Sequence, residues 1–273
     1  MKFRSTARVV VVLAVAGVLA ACGSSGGSKS SASTNSNDLG GKTVTVAVEN
    51  QYVPFNYINK DNGKAEGWDY DTWRAICKVI NCKVDFKETG FEGMIQAVSD
   101  SQFDAAADGI TITPERAKVV DFSRGYIKVE QRLMVKKGET KFTSLDAFKN
   151  GDYKVGTQTG TTNYDAAKKL YGADRVQAFE TFPFAVQALL NGDVDAVIID
   201  DTAGQGYVGA DRESLELLPG SISSDELGFI YPKGSDLVAP VNYALKQMEA
   251  DGSLKAISDK FFSPTFEPPV ADG

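Results

Sequence analysis

The 273-residue sequence contains no histidine and only three cysteines, and these scarcities remove most of the usual catalytic and metal chemistry. Without histidine the commonest metal ligand and the commonest general acid or base are both missing. With Cys22 set aside, two thiols and no imidazole make a poor zinc site. Positive charge is not in excess either. Lys and Arg number 29 against 36 Asp and Glu, a net charge of −7, which argues against nucleic acid as a partner. The apolar run from Val9 to Ala21 is too short for a comfortable membrane span.

What is present describes a globular chain. It is 42% hydrophobic and 24% charged, with length for two lobes of roughly 100 residues each. The first 21 residues read as a signal peptide, with Lys2, Arg4 and Arg8 forming a basic start ahead of the apolar run. They end in Leu19-Ala20-Ala21-Cys22, which resembles a bacterial lipobox, where the cysteine is diacylated and becomes the mature N-terminus. Loss of the three cations would take the net charge from −7 to −10. Residues 22–41 follow as a tether rich in Ser, Gly, Thr and Asn, unable to bury a core. The expected location is the extracellular or periplasmic face of the cell membrane, held by lipid. Such a compartment is oxidising, so the close pair Cys77 and Cys82 invites a bridge between a helix end and a strand start; two free buried thiols are the other possibility.

Along the folded part, valine-rich Lys42 to Val48 alternates as a strand and runs into a loop carrying Glu49 and Tyr52 before Pro54. A helix over 70–80 places Trp73, Ile76 and Ile80 on one face, and a strand over 83–86 follows. Phe91 opens a second helix leading to a short buried strand, Phe103 to Ala107. The second half repeats the plan: F-x-x-x-I-Q-A-V from Phe91 and F-x-x-x-V-Q-A-L from Phe182 both lead to an acidic strand end, at Asp108 and at Asp200. Strand and helix alternation predicts a parallel α/β sheet in each half. Further strands are expected over 153–156, 175–179 and 226–231, a helix capped by the 159–163 stretch, and C-terminal helices over 237–249 and 254–262.

The stretch Phe103 to Ser123 organises the rest. A buried strand breaks at Asp108-Gly109, and Thr113-Pro114 is a helix start that holds Arg116 at a fixed place near the strand mouth. Arginine grips a carboxylate with two parallel bonds, although taken alone it also reads as an ordinary surface cation. The run GITITPERAKVVDFS, residues 109–123, closely resembles the signature of the polar amino-acid family of ABC-transporter solute-binding proteins, and the resemblance extends from about residue 42 to 262.

The resemblance implies a two-lobed periplasmic-binding-protein (Venus-flytrap) fold, each lobe a mainly parallel sheet with flanking helices, joined by a two-strand hinge near 126–131 and 224–229. Lobe 1 would be residues 42–128 and 228–264, lobe 2 residues 129–227, with an irregular tail over 265–273. It implies capture of an amino acid for an ABC permease by a monomer, with no cofactor and no metal. Arg116 would take the α-carboxylate, with the helix start at Thr161 and Thr162 adding N–H donors. Asp200, the Gly109 carbonyl and the Thr111 hydroxyl would take the α-ammonium. Tyr52 and Phe91 would flank the side chain, Gln158 would line the second lobe, and Trp68 is left to packing. Asp201 is an equally acidic neighbour, and Asp200 is chosen by its match to the family pattern.

Glu49 and Asp108 would repel each other unless a cation lay between them, which favours arginine, lysine or ornithine. If Asp108 turns away to a protein cation and Glu49 accepts from an amide, glutamine or another uncharged polar amino acid is the expected ligand. A reading of another class is an enzyme resembling the cyclohexadienyl dehydratases, with Glu49 or Asp108 as general acid.

Overall fold

The computed structural model describes residues 36–269. The signal peptide, Cys22 and most of the tether lie outside the described residues, as do residues 270–273. No helix among the described residues is long and apolar enough to cross a membrane.

The first lobe begins with β1 (Thr43–Val48), whose β-branched residues alternate onto a buried face. A three-stranded antiparallel meander follows, β2 (Gln51–Tyr52), β3 (Asn56–Asn59) and β4 (Lys64–Glu66). Helix α1 (Trp68–Val79) starts two residues before its apolar period predicts. Gly67 ends the meander at φ 134°, where a Cβ would lie 2.2 Å from the Phe55 carbonyl oxygen, so only glycine makes this entry. The chain continues through β5 (Lys83–Glu88), α2 (Phe91–Ser99), β6 (Ala105–Ala106), a short 3-10 turn at Arg116–Lys118, and β7 (Val120–Phe122). β6 is shorter than the run 103–107 suggests. Asp104 stands at its start, its carboxylate accepting from the Thr45 N–H and hydroxyl, each at 2.8 Å.

The second lobe holds β8 (Ile127–Lys136), α3 (Leu145–Asn150), β9 (Val155–Gln158), α4 (Thr162–Tyr171), β10 (Val176–Phe179), α5 (Phe182–Asn191), β11 (Ala196–Asp200), α6 (Asp201–Ala210), β12 (Leu215–Leu217) and β13 (Ser223–Leu227). The chain then returns to the first sheet as β14 (Ile230–Pro232), and α7 (Val238–Ala250) and α8 (Ser253–Phe261) pack on α1.

Strand order is β5-β1-β6-β14-β7 in one sheet and β10-β9-β11-β8-β12 in the other, with β13 beside β8. The internal repeat is real in space: α2 delivers β6 parallel to β1, and α5 delivers β11 parallel to β9. A mainly parallel sheet describes only these three-stranded cores. β14, β7, β8, β12 and β13 all pair antiparallel, because the chain crosses between lobes and runs back. Two crossings lie side by side as a ladder from Ser223↔Gln131 to Leu227↔Ile127, at the positions expected for a hinge.

Trp68 and Trp73 are fully buried, and Trp68 stacks on Tyr126 and Phe262 with ring centroids 4.7 and 5.8 Å apart. The described residues after Phe262 form no helix or strand, yet they are held: Lys60 N–H donates to the Pro269 carbonyl at 2.7 Å and Arg212 to that of Pro264 at 3.0 Å.

Cys77 and Cys82 are joined, stapling the end of α1 to the start of β5. Because the two cysteines are 5 positions apart and close only a short loop, replacing both by alanine is expected to lower the unfolding free energy by about 2 kcal/mol. Denaturant melts measure this, and unchanged stability would show that the bridge does not restrain the unfolded chain.

Candidate ligand-binding cleft

Strand ends and helix starts from both lobes meet at one small cavity. Glu49 follows β1, Phe91 begins α2 and Asp108 follows β6; opposite them, Gln158 ends β9, Thr161 and Thr162 open α4, and Asp200 ends β11. All eleven residues singled out as ligand contacts line this cavity, together with Asn163 and Phe182. Its volume is about 20 Å³, room for roughly one water molecule, so the lobes must part to admit anything larger.

Arg116 is placed by Thr113, whose hydroxyl accepts the Arg116 N–H at 3.1 Å and so opens a 3-10 turn rather than an α-helix. The guanidinium donates to the carbonyls of Thr111 at 3.0 Å and, across the lobes, Gly160 at 3.3 Å, and it lies 5.6 Å from the Phe91 ring centre. It makes no ion pair among the described residues, and burial lowers its pKa. Gly109 sits at φ 57°, and a Cβ there would come within 2.5 Å of the Tyr52 ring, so glycine lets the strand end approach the tyrosine.

On the other side Thr161 caps α4, accepting the Tyr164 N–H at 3.1 Å, and the positive end of the helix dipole stands at the cavity. The two neighbouring aspartates at the end of β11 divide their tasks. Asp201 accepts from the Glu130 and Thr202 N–H groups at 3.0 and 2.8 Å. Asp200 makes no cap bond; it accepts from the Tyr52 hydroxyl at 2.8 Å and from Asn163 Nδ2 at 3.0 Å.

The cavity is strongly acidic in its composition. Glu49 accepts from Gln158 Nε2 at 2.7 Å and the Phe91 N–H at 3.3 Å, and burial still pushes its pKa up to about 7. Asp108 is raised well above the carboxylate range by burial and then by Glu49. Its Oδ1 accepts from Asn56 Nδ2 at 2.6 Å, while its Oδ2 is buried without a side-chain partner. Asp108 therefore does not turn to a protein cation, and the amide that Glu49 accepts from is the protein's own Gln158. Burial brings Asp200 to about 6 and Asp69, behind the cavity wall, to about 8.

Sequence reasoning passed over Asn163, Phe182, Asn56 and Asp69. The repeat held the signal for Phe182, because it aligns that residue with Phe91, and Phe182 indeed stacks on Tyr52 at 5.3 Å between ring centres. Asn163 stands in the first turn after the expected cap, a place where a side chain reaches the same mouth.

Residues 44–264 match the family model described as bacterial extracellular solute-binding proteins, family 3. The chain belongs to that family. A probable histidine-binding protein of Neisseria gonorrhoeae is 32% identical over 251 residues, covering 90% of this chain and 91% of that one. Among solved structures, the arginine-, lysine-, histidine-binding protein ArtJ of Geobacillus stearothermophilus is 34% identical with a TM-score of 0.75, covering 83% of this chain and 97% of that one. The ancestral amino acid-binding protein AncCDT-1, a precursor of cyclohexadienyl dehydratase, is also 34% identical with a TM-score of 0.75, covering 81% and 96%. The two-lobed fold and the solute-binding class follow from this membership.

The acids also set a pH dependence. Glu49, Asp69 and Asp200 hold protons more tightly folded than unfolded, with pKa values of about 7, 8 and 6. The folded chain therefore binds more protons, and its stability falls as pH rises from the ordinary carboxylate range toward 8. Urea unfolding of the ligand-free protein is expected to show a loss on the order of a few kcal/mol between pH 5 and pH 8. Stability that rises across this range would mean that the carboxylates are already ionised in the folded state.

Proposed function

We propose that this solute-binding protein captures a polar amino acid in the interlobe cleft, with cationic side chains favoured, and delivers it to an ABC permease. The observation that carries the reading is the placement of Arg116 and Asp200 around one buried cavity, from opposite lobes and with neither in an ion pair among the described residues. A zwitterion needs an anion grip on one side and an ammonium acceptor on the other. Arg116 and the start of α4 supply the first, and Asp200 with the Gly109 carbonyl and the Thr111 hydroxyl supplies the second. Tyr52 and Phe91 flank the side-chain end, where Glu49 and Asp108 favour a positive charge. The named specificities of the Neisseria and Geobacillus relatives support the same class.

The moving bodies are residues 42–128 with 228–264, and 129–227, hinged at the β8 and β13 ladder. Ligand that touches both favours closure through its differential affinity for the closed state, and closure about a hinge is the motion by which periplasmic binding proteins enclose their ligands. The protein works as a monomer held to the outer face of the cell membrane by lipid on Cys22.

A glutamine ligand is the second reading, favoured by one contact: Glu49 already accepts from a carboxamide, that of Gln158. Chemistry like that of cyclohexadienyl dehydratase is the third, resting on the raised pKa of Glu49 and on the likeness to AncCDT-1. Recovery of a bound amino acid unchanged after long incubation argues against it.

A thermal-shift panel of the twenty amino acids with ornithine and citrulline decides the ligand, since ligand at 100 times its Kd stabilises by about 2.7 kcal/mol. The largest shifts are expected for arginine, lysine or ornithine; the largest on glutamate or aspartate would overturn the placement of both acids. Arg116→Ala is expected to cost about 2–5 kcal/mol of binding without unfolding the protein, and near-wild-type affinity in calorimetry would sink the carboxylate grip. Cys22→Ser is expected to move the protein out of the membrane fraction, and equal retention of mutant and wild type would refute the anchor.

A further inference from the structure

Asn56, the first residue of β3, is fully buried and does not line the cleft. Its Nδ2 donates to Asp69 Oδ2 at 2.9 Å and to Asp108 Oδ1 at 2.6 Å, and its Oδ1 accepts the Asn50 N–H at 2.7 Å. The third bond fixes the amide, because a flipped carboxamide would set its oxygen against two carboxylates and its nitrogen against an N–H. Both N–H bonds of one side chain are thus spent on two buried acids. Each acid keeps one buried oxygen without a side-chain partner, Asp69 Oδ1 and Asp108 Oδ2, and the Glu49 backbone N–H also lies against the Asp108 carboxylate. Of the two acids only Asp108 lines the cavity.

We propose that Asn56 sets the charge preference of the cleft. By tying Asp108 Oδ1 into the wall, it leaves Asp108 Oδ2, which has no side-chain partner, as an acceptor for a cationic side chain. Asp69, whose pKa burial raises to about 8, lies behind it on the same amide. A neutral donor is what this task needs. An arginine or lysine at position 56 would neutralise Asp108 from within, and an apolar side chain would release the carboxylate and leave more buried oxygens unpaired. The inference rests on the reading of the cleft as a site for cationic amino acids and names the positioning residue that makes it so.

The test compares arginine with citrulline, which keeps the shape and removes the charge, by calorimetry on the full chain. The wild type is expected to prefer arginine by ~10-fold or more, equivalent to about 1.4 kcal/mol. Asp108→Asn should bring that ratio close to one. Asn56→Leu should lower the ratio by a similar factor, and adding it to Asp108→Asn should change the ratio no further, since both act through one carboxylate. Asn56→Ser, whose hydroxyl can donate to one acid and not both, gives the same direction with a smaller loss and serves if the leucine variant does not fold. A merely structural Asn56 would weaken both ligands alike. An unchanged ratio in either variant, beside a wild type that does prefer arginine, overturns this inference alone. A wild type without preference for arginine overturns the cationic reading of the cleft and this inference with it.

Discussion

Four carboxylates, those of Glu49, Asp69, Asp108 and Asp200, are buried in and behind one small cavity, and no lysine or arginine among the described residues pairs with any of them. Burying a charge without a partner is among the most costly arrangements a fold can adopt, and the usual relief is a paired cation or a shifted pKa. Here the relief comes from raised pKa values together with neutral donors: Gln158 for Glu49, Asn56 for Asp69 and Asp108, Tyr52 and Asn163 for Asp200. Neutral donors orient the acids without cancelling them. A cation that enters from solution can displace the protons that burial retains on these acids and so meet their full negative charge.

The rest of the architecture serves that constraint. Parallel strands end at the cleft in both lobes, so Asp108, just past β6, and Asp200, the last residue of β11, line the same cavity. The cleft takes its one cation from a loop: Arg116 is fixed by Thr113 and lies beside Phe91, with backbone carbonyls as its partners. A guanidinium bonded to carbonyls keeps its full charge. The site therefore holds Arg116 and Asp200 around one cavity with no ion pair between them among the described residues.

Much of this was legible in the sequence because it is periodic or punctuated. The strand alternation of 43–48, the helical spacing of Trp73, Ile76 and Ile80, the doubled F-x-x-x-[IV]-Q-A motif and the Thr-Pro turn before Arg116 each carry their own physical signal. Asn56 and Asp69 carried none. They lie at the start of a four-residue strand and in the first turn of a helix, and their meeting with Asp108 is made by the meander and by Gly67, whose φ of 134° no pattern of hydrophobicity reveals. The antiparallel edges were hidden for a similar reason, since pairing direction depends on where the chain returns and not on local composition.

The bonds that now join the lobes bear on how closure is controlled. Tyr52 to Asp200, Gln158 to Glu49, Thr111 to Thr162 and Arg116 to the Gly160 carbonyl all cross the cleft, and all use groups assigned to the ligand. A ligand must then replace these contacts as well as add to them, so only the difference between the two sets drives closure. A zwitterion bound as proposed would exchange neutral donors for an ammonium at Asp200 and carbonyls for a carboxylate at Arg116. Each exchange turns a neutral-to-charged bond into a fully charge-assisted one, the kind that gains most in a water-excluded site. A neutral solute of the same size would break the same four contacts and restore nothing stronger. On the proposed reading, discrimination in favour of charged, complementary ligands would come from the bonds that form in their place.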